Sequence, residues 1–562
     1  MNPGTEGART SPSRPVLVVG GGPVGLMMAI LLAAQGHRSI VFERRLPRES
    51  SAPKAHVFNP RTLEICRALG LDIDAMRSAS RHGSDSHRAL FLGTLAGPLF
   101  GSLPLDNEDT SSLCAASPTP LLNIAQPEFE RLLEVHALAN PLIELRRGHK
   151  FIACDEEADA VVARFEANGR SYSECGTYLI GADGAGSTVR ERLDIPMCGN
   201  PSVRARITIH FEADLRDLIG DRTGVLYWVL DPETPGTFIA YDPARTWVYS
   251  PRLVADSFDP ADFPEERCKA LIRRAIGRED VDLQIRHVLP WMMSAQVAQR
   301  YRMGRCFLVG DAAHRLPPTG GLGLNTGIQD AHNLAWKISA VLRGTAASAD
   351  TLLDSYDAER RPVAEINTAQ SLSNAQKLQH LFALATEVLG DGAPSEEGRS
   401  ALVAELAHHR EHFLSEGLQL GFSYGPPVRG PADPLWYAPS LERGARLPHA
   451  WFDQDGQRLS TLDLIDPVGF TLMTTGATVW SRLAGELPDC RVVVLPATSC
   501  FHGPWLALEA VGTSGALLVR PDGHIAQVAG DASADSVRAI HAAYTSFGMR
   551  ATQPQSNALS PA

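Results

Sequence analysis

Three glycines, three acids and one histidine carry the first chemical signals. Gly20, Gly22 and Gly25 stand in G-x-G-x-x-G spacing, and Glu43, Asp183 and Asp311 each follow a short apolar run. Glycines so spaced let the chain turn tightly and bring backbone amides close to a pyrophosphate, while an acid at the end of a strand accepts a hydrogen bond from a sugar or ribitol hydroxyl. His56 adds a group whose ordinary pKa suits proton transfer near neutrality, although most histidines met without context serve packing.

The elements around these residues decide how they are read. The stretch "VLVVGGGPVGLMMAILLAAQGHRSIVFERR" is uncharged from Val16 to Ala34, and a membrane span wants about 20 apolar residues with few breakers. Its internal order is instead strand, glycine turn, helix opened by Pro23 and closed by Gly36, then a second strand, Ser39 to Phe42, ending at Glu43. That is a dinucleotide-binding unit whose positive helix end faces phosphates. A cleaved signal is opposed by the polar leader and the lack of a cleavage-like site.

Two later stretches look built for the same ligand. "YLIGADGAGSTVRERL" is a buried strand ending at Asp183-Gly184, with Arg190 just beyond. "GRCFLVGDAAHRLPPTGGLGLNTGIQDAHNLAWKI" puts Gly310-Asp311 at a strand end and runs a Pro/Gly loop into a helix near Asn325. Successive glycines admit a planar ring, and the helix that follows would stabilise negative charge on it. Between them, "RARITIHFEADL", "GVLYWVLD", "GTFIAY" and "RTWVYSPRLV" predict an antiparallel sheet rich in aromatic residues. A long helical stretch is predicted from about Ala349 to Leu418, then a Pro/Gly-rich connection, then a small α/β unit from about Leu441.

Bulk composition narrows the classes. The chain has 562 residues, enough for several cores. Its net charge of -12 opposes a nucleic-acid or anionic-membrane partner. Nine cysteines without a C-x-x-C or a zinc-like spacing oppose disulfide, redox-motif and metal roles, so no metal is expected and the cytoplasm is the default compartment.

The glycine fingerprint, the Asp183-Gly184 segment and the Gly310-Asp311 segment, in that order, resemble the class A, single-component FAD-dependent aromatic hydroxylases of the p-hydroxybenzoate hydroxylase superfamily. "SPTPLLNIAQPEFERLL", "LYWVLDP" and "PPTGGLGLNTGIQDAHNLAWKI" bring the likeness closest to phenol and 2,4-dichlorophenol hydroxylases and aromatic polyketide hydroxylases. "RLPHAWFDQDGQRLSTLDL" with "LVRPDGHIA" is similar to the thioredoxin-like domain that ends those relatives. Without C-x-x-C, packing or oligomer contact is the role expected of it.

The resemblance implies an α/β fold in several parts. A discontinuous Rossmann-like FAD-binding domain would occupy 15–200 and 290–375, with an inserted antiparallel substrate sheet at 201–289 joined by part of 85–122. A helical stretch and linker would fill 376–440 and a thioredoxin-like domain 441–552, between loose tails at 1–14 and 553–562. It also implies tightly bound FAD, transient NADPH or NADH, O2, a small aromatic substrate and room for a homodimer.

Residue by residue, Gly20, Gly22, Pro23, Gly25, Glu43 and Arg44 would hold the ADP half of FAD, with Gln126 toward the ribitol side and Asp311, beside Gly310, at the ribitol. Pro318, Gly321, Gly323, Leu324 and Asn325 would border the isoalloxazine. Asp183 and Gly184 would serve both FAD and the nicotinamide cofactor, with Arg190 nearby. Lys54 stands where relatives usually carry arginine, so with Arg61 it would meet the pyrophosphate with charge but without the bidentate fork.

His56 falls where relatives place an acid or histidine beside the substrate hydroxyl; deprotonating a phenol would activate its ortho and para carbons toward an electrophilic flavin hydroperoxide. Tyr241, Tyr249 and Trp291 are pocket candidates, each with packing as its ordinary reading, and His314 is expected to be structural. No second nucleotide fold is present, so NAD(P)H would dock transiently. A Baeyer-Villiger or epoxidising enzyme acting on a ketone or quinone is the nearest alternative, and a flavin-binding protein without turnover is the alternative of another class. A halogenase lacks its W-x-W-x-I-P signature here, and a disulfide reductase lacks C-x-x-C.

Overall fold

Apolar β-branched runs separated by glycine make the amino-terminal unit: strand Val16–Val19, helix Pro23–Ala34 and strand Ser39–Glu43. In a computed structural model, residues 14–46, 54–80, 88–105, 116–253, 257–390, 394–476, 478–496, 498–503 and 505–551 are described, and the expected tails at 1–14 and 553–562 lie outside them except for Arg14. The Pro23–Ala34 helix is buried on nearly every side, packed against the first strands and helix Leu322–Leu342. Its lack of charge therefore reflects a helix enclosed by protein, and among the described residues no helix is long and apolar enough to cross a membrane.

The first sheet runs, edge to edge, Arg302–Met303, Cys306–Leu308, Leu179–Gly181, Val16–Val19, Ser39–Glu43 and Ile143–Arg147. All neighbours are parallel except the Arg302–Met303 edge. Val19 pairs with Gly181 and Gly181 with Leu308. Gly20, Asp183 and Asp311 thus emerge from the carboxyl ends of three neighbouring strands, where parallel α/β sheets bind ligands.

A second, eight-stranded sheet runs His314–Arg315, Gln284–Ala298, Met197–Glu212, Thr246–Pro251, Gly236–Asp242, Leu226–Val229, Arg88–Leu92 and Leu99–Pro104. The antiparallel expectation holds except for one pair, Leu226–Val229 with Arg88–Leu92, which is parallel. Those strands lie far apart in sequence, so no hairpin forces them to run oppositely. One face packs Ile207, Ile209, Phe211, Phe238, Trp247 and Tyr249 on helix Glu265–Ile276. On the other, Phe91 and Trp228 meet Leu378 and Phe382.

Those last residues belong to helix Ala349–Leu389, the first of several helices over the predicted Ala349–Leu418 stretch. Gly390 ends it and Ser395 caps the separate helix Glu396–Leu406 by accepting from the Gly398 amide at 3.0 Å. The carboxy-terminal unit has strand order Cys490–Val494, Phe470–Thr474, Ala516–Val519, Ile525–Ala529. Its first pair is parallel and the other two antiparallel, with helices Thr478–Glu486 and Ala534–Ser546 against it, a thioredoxin-like arrangement.

Buried ion pairs fasten this unit to the rest. Arg446 binds Glu64, and Arg520 donates to Glu359 at 2.7 Å as well as to Asp522. Burial opposes the charge on Glu64, yet Arg446 and Arg61 hold its carboxyl at about 2; Glu359, opposed by burial in the same way, is held at about 2 by Arg520 and Lys337.

Candidate functional site

At the carboxyl ends of the first sheet the glycines have distinct jobs. Gly20 has φ +114°, and a Cβ there would lie 2.2 Å from the Ala182 oxygen. A Cβ on Gly25 would lie 1.9 Å from the Gly20 oxygen. These two close the turn onto its neighbours. Gly22 has nothing within 4 Å of that position, and no side chain caps the helix it begins. An open cradle faced by uncapped helix amides fits a diphosphate, so the turn passes the test for the ADP half of FAD.

Glu43 is buried and bound to the turn itself, accepting from the Gly21 amide at 2.8 Å and the Arg45 amide at 2.9 Å. Burial opposes its ionisation, but the Arg45 and Gly21 contacts keep its carboxyl below the ordinary range. Arg44 is exposed. Asp183 turns back on its own segment, accepting from Ser187 Oγ at 2.5 Å and the Val189 amide at 3.1 Å. Burial nonetheless raises its pKa. Gly184, with φ +81°, has open space around it, and Arg190 donates weakly to the Ala185 and Ala312 carbonyls.

Asp311 is solvent-accessible yet surrounded by protein mass, the position of a carboxyl on the wall of a groove. Burial raises its pKa, countered by the charges of His314, Lys54 and Arg315. Lys54, exposed, thus lies within electrostatic reach of Asp311, and both fit the ribitol and diphosphate side of FAD. Arg315 was not singled out by spacing; it donates to the Ala185 carbonyl and to Gln296 Oε1 at 3.1 Å, joining the Asp183 and Asp311 segments.

Arg61 takes a different place. Its guanidinium donates to Glu64 at 2.9 Å and to the Asp522 carbonyl at 2.6 Å, so it is a buried link to the carboxy-terminal unit and not the accessible cation that a pyrophosphate needs. Gln126, at the start of helix Gln126–Leu138, accepts from the Ala55 amide at 3.1 Å and donates to Glu130 at 2.7 Å. It holds the strap that carries His56.

Asn325 ties that strap to the predicted ring-binding loop. Its oxygen accepts from the Asn59 amide at 3.0 Å and Thr62 Oγ1 at 2.8 Å; its nitrogen donates to the Val57 carbonyl at 2.9 Å and the Gly321 carbonyl at 2.8 Å. Gly321 has φ +63° and lies against Val57. Pro318 is exposed, and Gly323 and Leu324 are half-buried on the same loop and first helical turn. Gly310 donates to Asp330 at 3.2 Å; His314, fully buried, pairs with the same carboxylate at 2.8 Å, as does Arg360. His314 is thereby a core contact.

His56 Nδ1 lies 2.7 Å from Asn123 Oδ1. Because that oxygen only accepts, Nδ1 carries the proton and the basic lone pair is on Nε2. Asn123 escaped notice in the sequence because its strand, Leu122–Asn123, is two residues long; it pairs with Val57–Phe58. Tyr241 meets the His56 ring edge-on at 5.7 Å and lies 3.4 Å from the Lys54 carbonyl.

The other two pocket candidates part company. Tyr249 is fully buried on the opposite face of the sheet, stacked on Phe238 and donating to the Thr234 carbonyl at 3.0 Å, so it is packing. Trp291 is 37% exposed and donates to Thr208 Oγ1 at 2.9 Å.

The chain matches the FAD binding domain family over residues 13–371 and the aromatic-ring hydroxylase C-terminal family over 441–548. It belongs to the FAD-dependent aromatic-ring hydroxylases. Membership makes it a flavoprotein monooxygenase that works with FAD, O2 and a reduced nicotinamide cofactor. It is 31% identical to the 2,4-dichlorophenol 6-monooxygenase of Cupriavidus pinatubonensis, over 93% of this chain and 95% of that one. It is 32% identical to the tetracenomycin B2 monooxygenase-dioxygenase of Streptomyces olivaceus, over 94% and 97%. The flavin-dependent monooxygenase PieE, solved with FAD and substrate, superposes with a TM-score of 0.85 at 31% identity, covering 95% of this hydroxylase and 99% of PieE.

Proposed function

We propose that this hydroxylase inserts one oxygen atom of O2 into a phenolic or polycyclic aromatic substrate lying between the second sheet and the Pro318–Asn325 loop, with His56 as the proton acceptor for the substrate hydroxyl. One observation supports the base most directly: Asn123 fixes the Nδ1 proton of His56 at 2.7 Å and so assigns the lone pair to Nε2. Tyr241 sets the tilt of the ring from its edge.

FAD, once reduced by NAD(P)H, supplies the activated oxygen. Gly20, Gly22, Gly25 and the uncapped Pro23–Ala34 helix hold its diphosphate; Asp311 and Lys54 take the ribitol and phosphate side; and Pro318, Gly321, Gly323, Leu324 and Asn325 border the ring. His56 holds the phenolic proton while the aromatic carbon is attacked, and the strap joined to Asn325 keeps that proton acceptor beside the loop. A phenolate is the better nucleophile, so removing its proton and accelerating ring hydroxylation are one act.

The deciding experiment follows NAD(P)H loss, hydrogen peroxide and product structure by NMR with phenolic and polycyclic substrates on the wild type. Ring hydroxylation coupled to NAD(P)H consumption supports the reading. An inserted ester oxygen from a ketone, or aromatic binding with no stimulated NAD(P)H consumption, would reject it.

A further inference from the structure

On the face of the second sheet opposite its aliphatic core stands a group of arginines to which neither the fold nor the proposed base assigns a task. Arg204 and Arg206 alternate with Ala205 and Ile207 along strand Met197–Glu212, so both point away from the core containing Ile207. Ile209 pairs with Tyr249 in antiparallel register. Continuing that register brings Arg206 level with Arg252, just beyond strand Thr246–Pro251. Trp291 pairs with Arg206 on the other side, and its bond to Thr208 confirms that these side chains share a face.

No carboxylate among the described residues pairs with Arg204, Arg206 or Arg252, whereas Arg245 and Arg286, on the same sheet, both bind Glu212. All three are half-buried. Arg252 lies with its guanidinium 4.4 Å from the Phe382 ring centre, and Phe382 lies 6.1 Å from Trp228. Burial first, and then the neighbouring guanidinium charges, lowers Arg206 to about 10 and Arg252 to about 9. Three like charges held together with no carboxylate partner among the described residues favour an anion that joins them.

We propose that Arg204, Arg206 and Arg252 form a subsite for the carboxylate of an extended polycyclic aromatic acid, whose distal ring reaches the proposed flavin-bordering loop. The inference rests on the hydroxylase reading above and deepens it by naming a substrate class. Its length comes from helix Ala349–Leu389, which passes both places. Asn374 lies beside Gly320, since a Cβ on that glycine would be 3.4 Å from Asn374 Nδ2. Phe382 packs on Arg252 eight residues later, about 12 Å along the helix axis. A single phenol ring cannot span that distance, whereas several fused rings can. Trp228 and Phe382, both buried, pack on each other at the Arg252 end of that interval, and the guanidinium forks suit a planar carboxylate.

The test uses full-length, FAD-loaded protein titrated with anthraquinone-2-carboxylate and with neutral anthraquinone-2-carboxamide, reading Kd from the perturbation of the flavin spectrum. The acid is expected to bind about tenfold or more tighter than the amide, the scale of one charge-assisted hydrogen bond. Arg206→Gln and Arg252→Gln variants that load FAD should lose most of that preference, while Arg206→Lys and Arg252→Lys retain part of it.

An acid that binds no better than the amide in the wild type overturns the proposal, and this comparison stands even if a glutamine variant fails to fold. A preference that survives both glutamine substitutions also overturns it. So does an effect confined to the KM for NADH or NADPH, which would give the cluster to the nicotinamide phosphates. Preference for the acid with no aromatic turnover would sink the hydroxylase reading and keep the subsite; fast turnover of neutral phenols with no such preference would do the reverse.

Discussion

The side-chain amide of Asn325 donates to the Val57 carbonyl at 2.9 Å, joining the first turn of the helix after the Pro/Gly loop to the residue that follows His56. The proposed base is therefore held in register with the proposed ring-binding loop by one side chain, whose oxygen also accepts from Asn59 and Thr62.

Substituting Asn325 by Ala leaves the Asn59 amide and the Val57 and Gly321 carbonyls without their partner. The expected cost is about 2 kcal/mol or more of stability, read as a lower Tm, with product formed per NAD(P)H consumed falling more than NAD(P)H consumption itself. Full coupling in a folded Asn325→Ala variant would mean that the clasp does not position His56.

His56→Gln should load FAD as the parent does and lose about a hundredfold in hydroxylation, with more hydrogen peroxide released. Product formation is measured across pH with a phenolic substrate. A variant whose turnover matches the parent at every pH removes His56 from the mechanism.

Gly25→Ala and Gly22→Ala should fail in different ways. The first drives a Cβ to 1.9 Å from the Gly20 oxygen and should lower Tm even without FAD. The second meets nothing within 4 Å and should leave apoprotein stability near the parent while weakening FAD binding about tenfold or more. Equal FAD affinity in Gly22→Ala would show that the diphosphate does not approach this turn.

Acid should loosen the carboxy-terminal unit. Glu64 and Glu359 are held at about 2, below the ordinary carboxylate range. A depressed carboxylate contributes stability that is fully present above its unfolded pKa and lost as pH falls through the folded one. Tm should therefore drop between the ordinary carboxylate range and about pH 2. Glu359→Gln, which strips Lys337 and Arg520 of their shared partner, should cost about 3–5 kcal/mol at neutral pH. A flat Tm over the acid range would contradict the assignment.

What the sequence determined by itself was local. Gly25 is demanded by a backbone approach to Gly20 within its own turn, and the strand-turn-helix grammar around it is written in consecutive residues, so the dinucleotide unit and the two later acid-bearing strand ends could be read directly. The tertiary structure decided whatever depends on which distant side chains meet. Arg61 sits in the neighbourhood that suggested pyrophosphate, but only packing of the carboxy-terminal unit brings the Asp522 carbonyl to it. Tyr241 and Tyr249 are both aromatic residues on adjacent strands, yet an irregularity in pairing between Ala240 and Asp242 and the strand register put them in different surroundings. The same register gathers Arg204 and Arg206 from one strand and Arg252 from just beyond its neighbour. A side chain's face in a sheet follows from a period of two, so a shift of one residue reverses it, and that register is set by the whole sheet and not by any one stretch of chain.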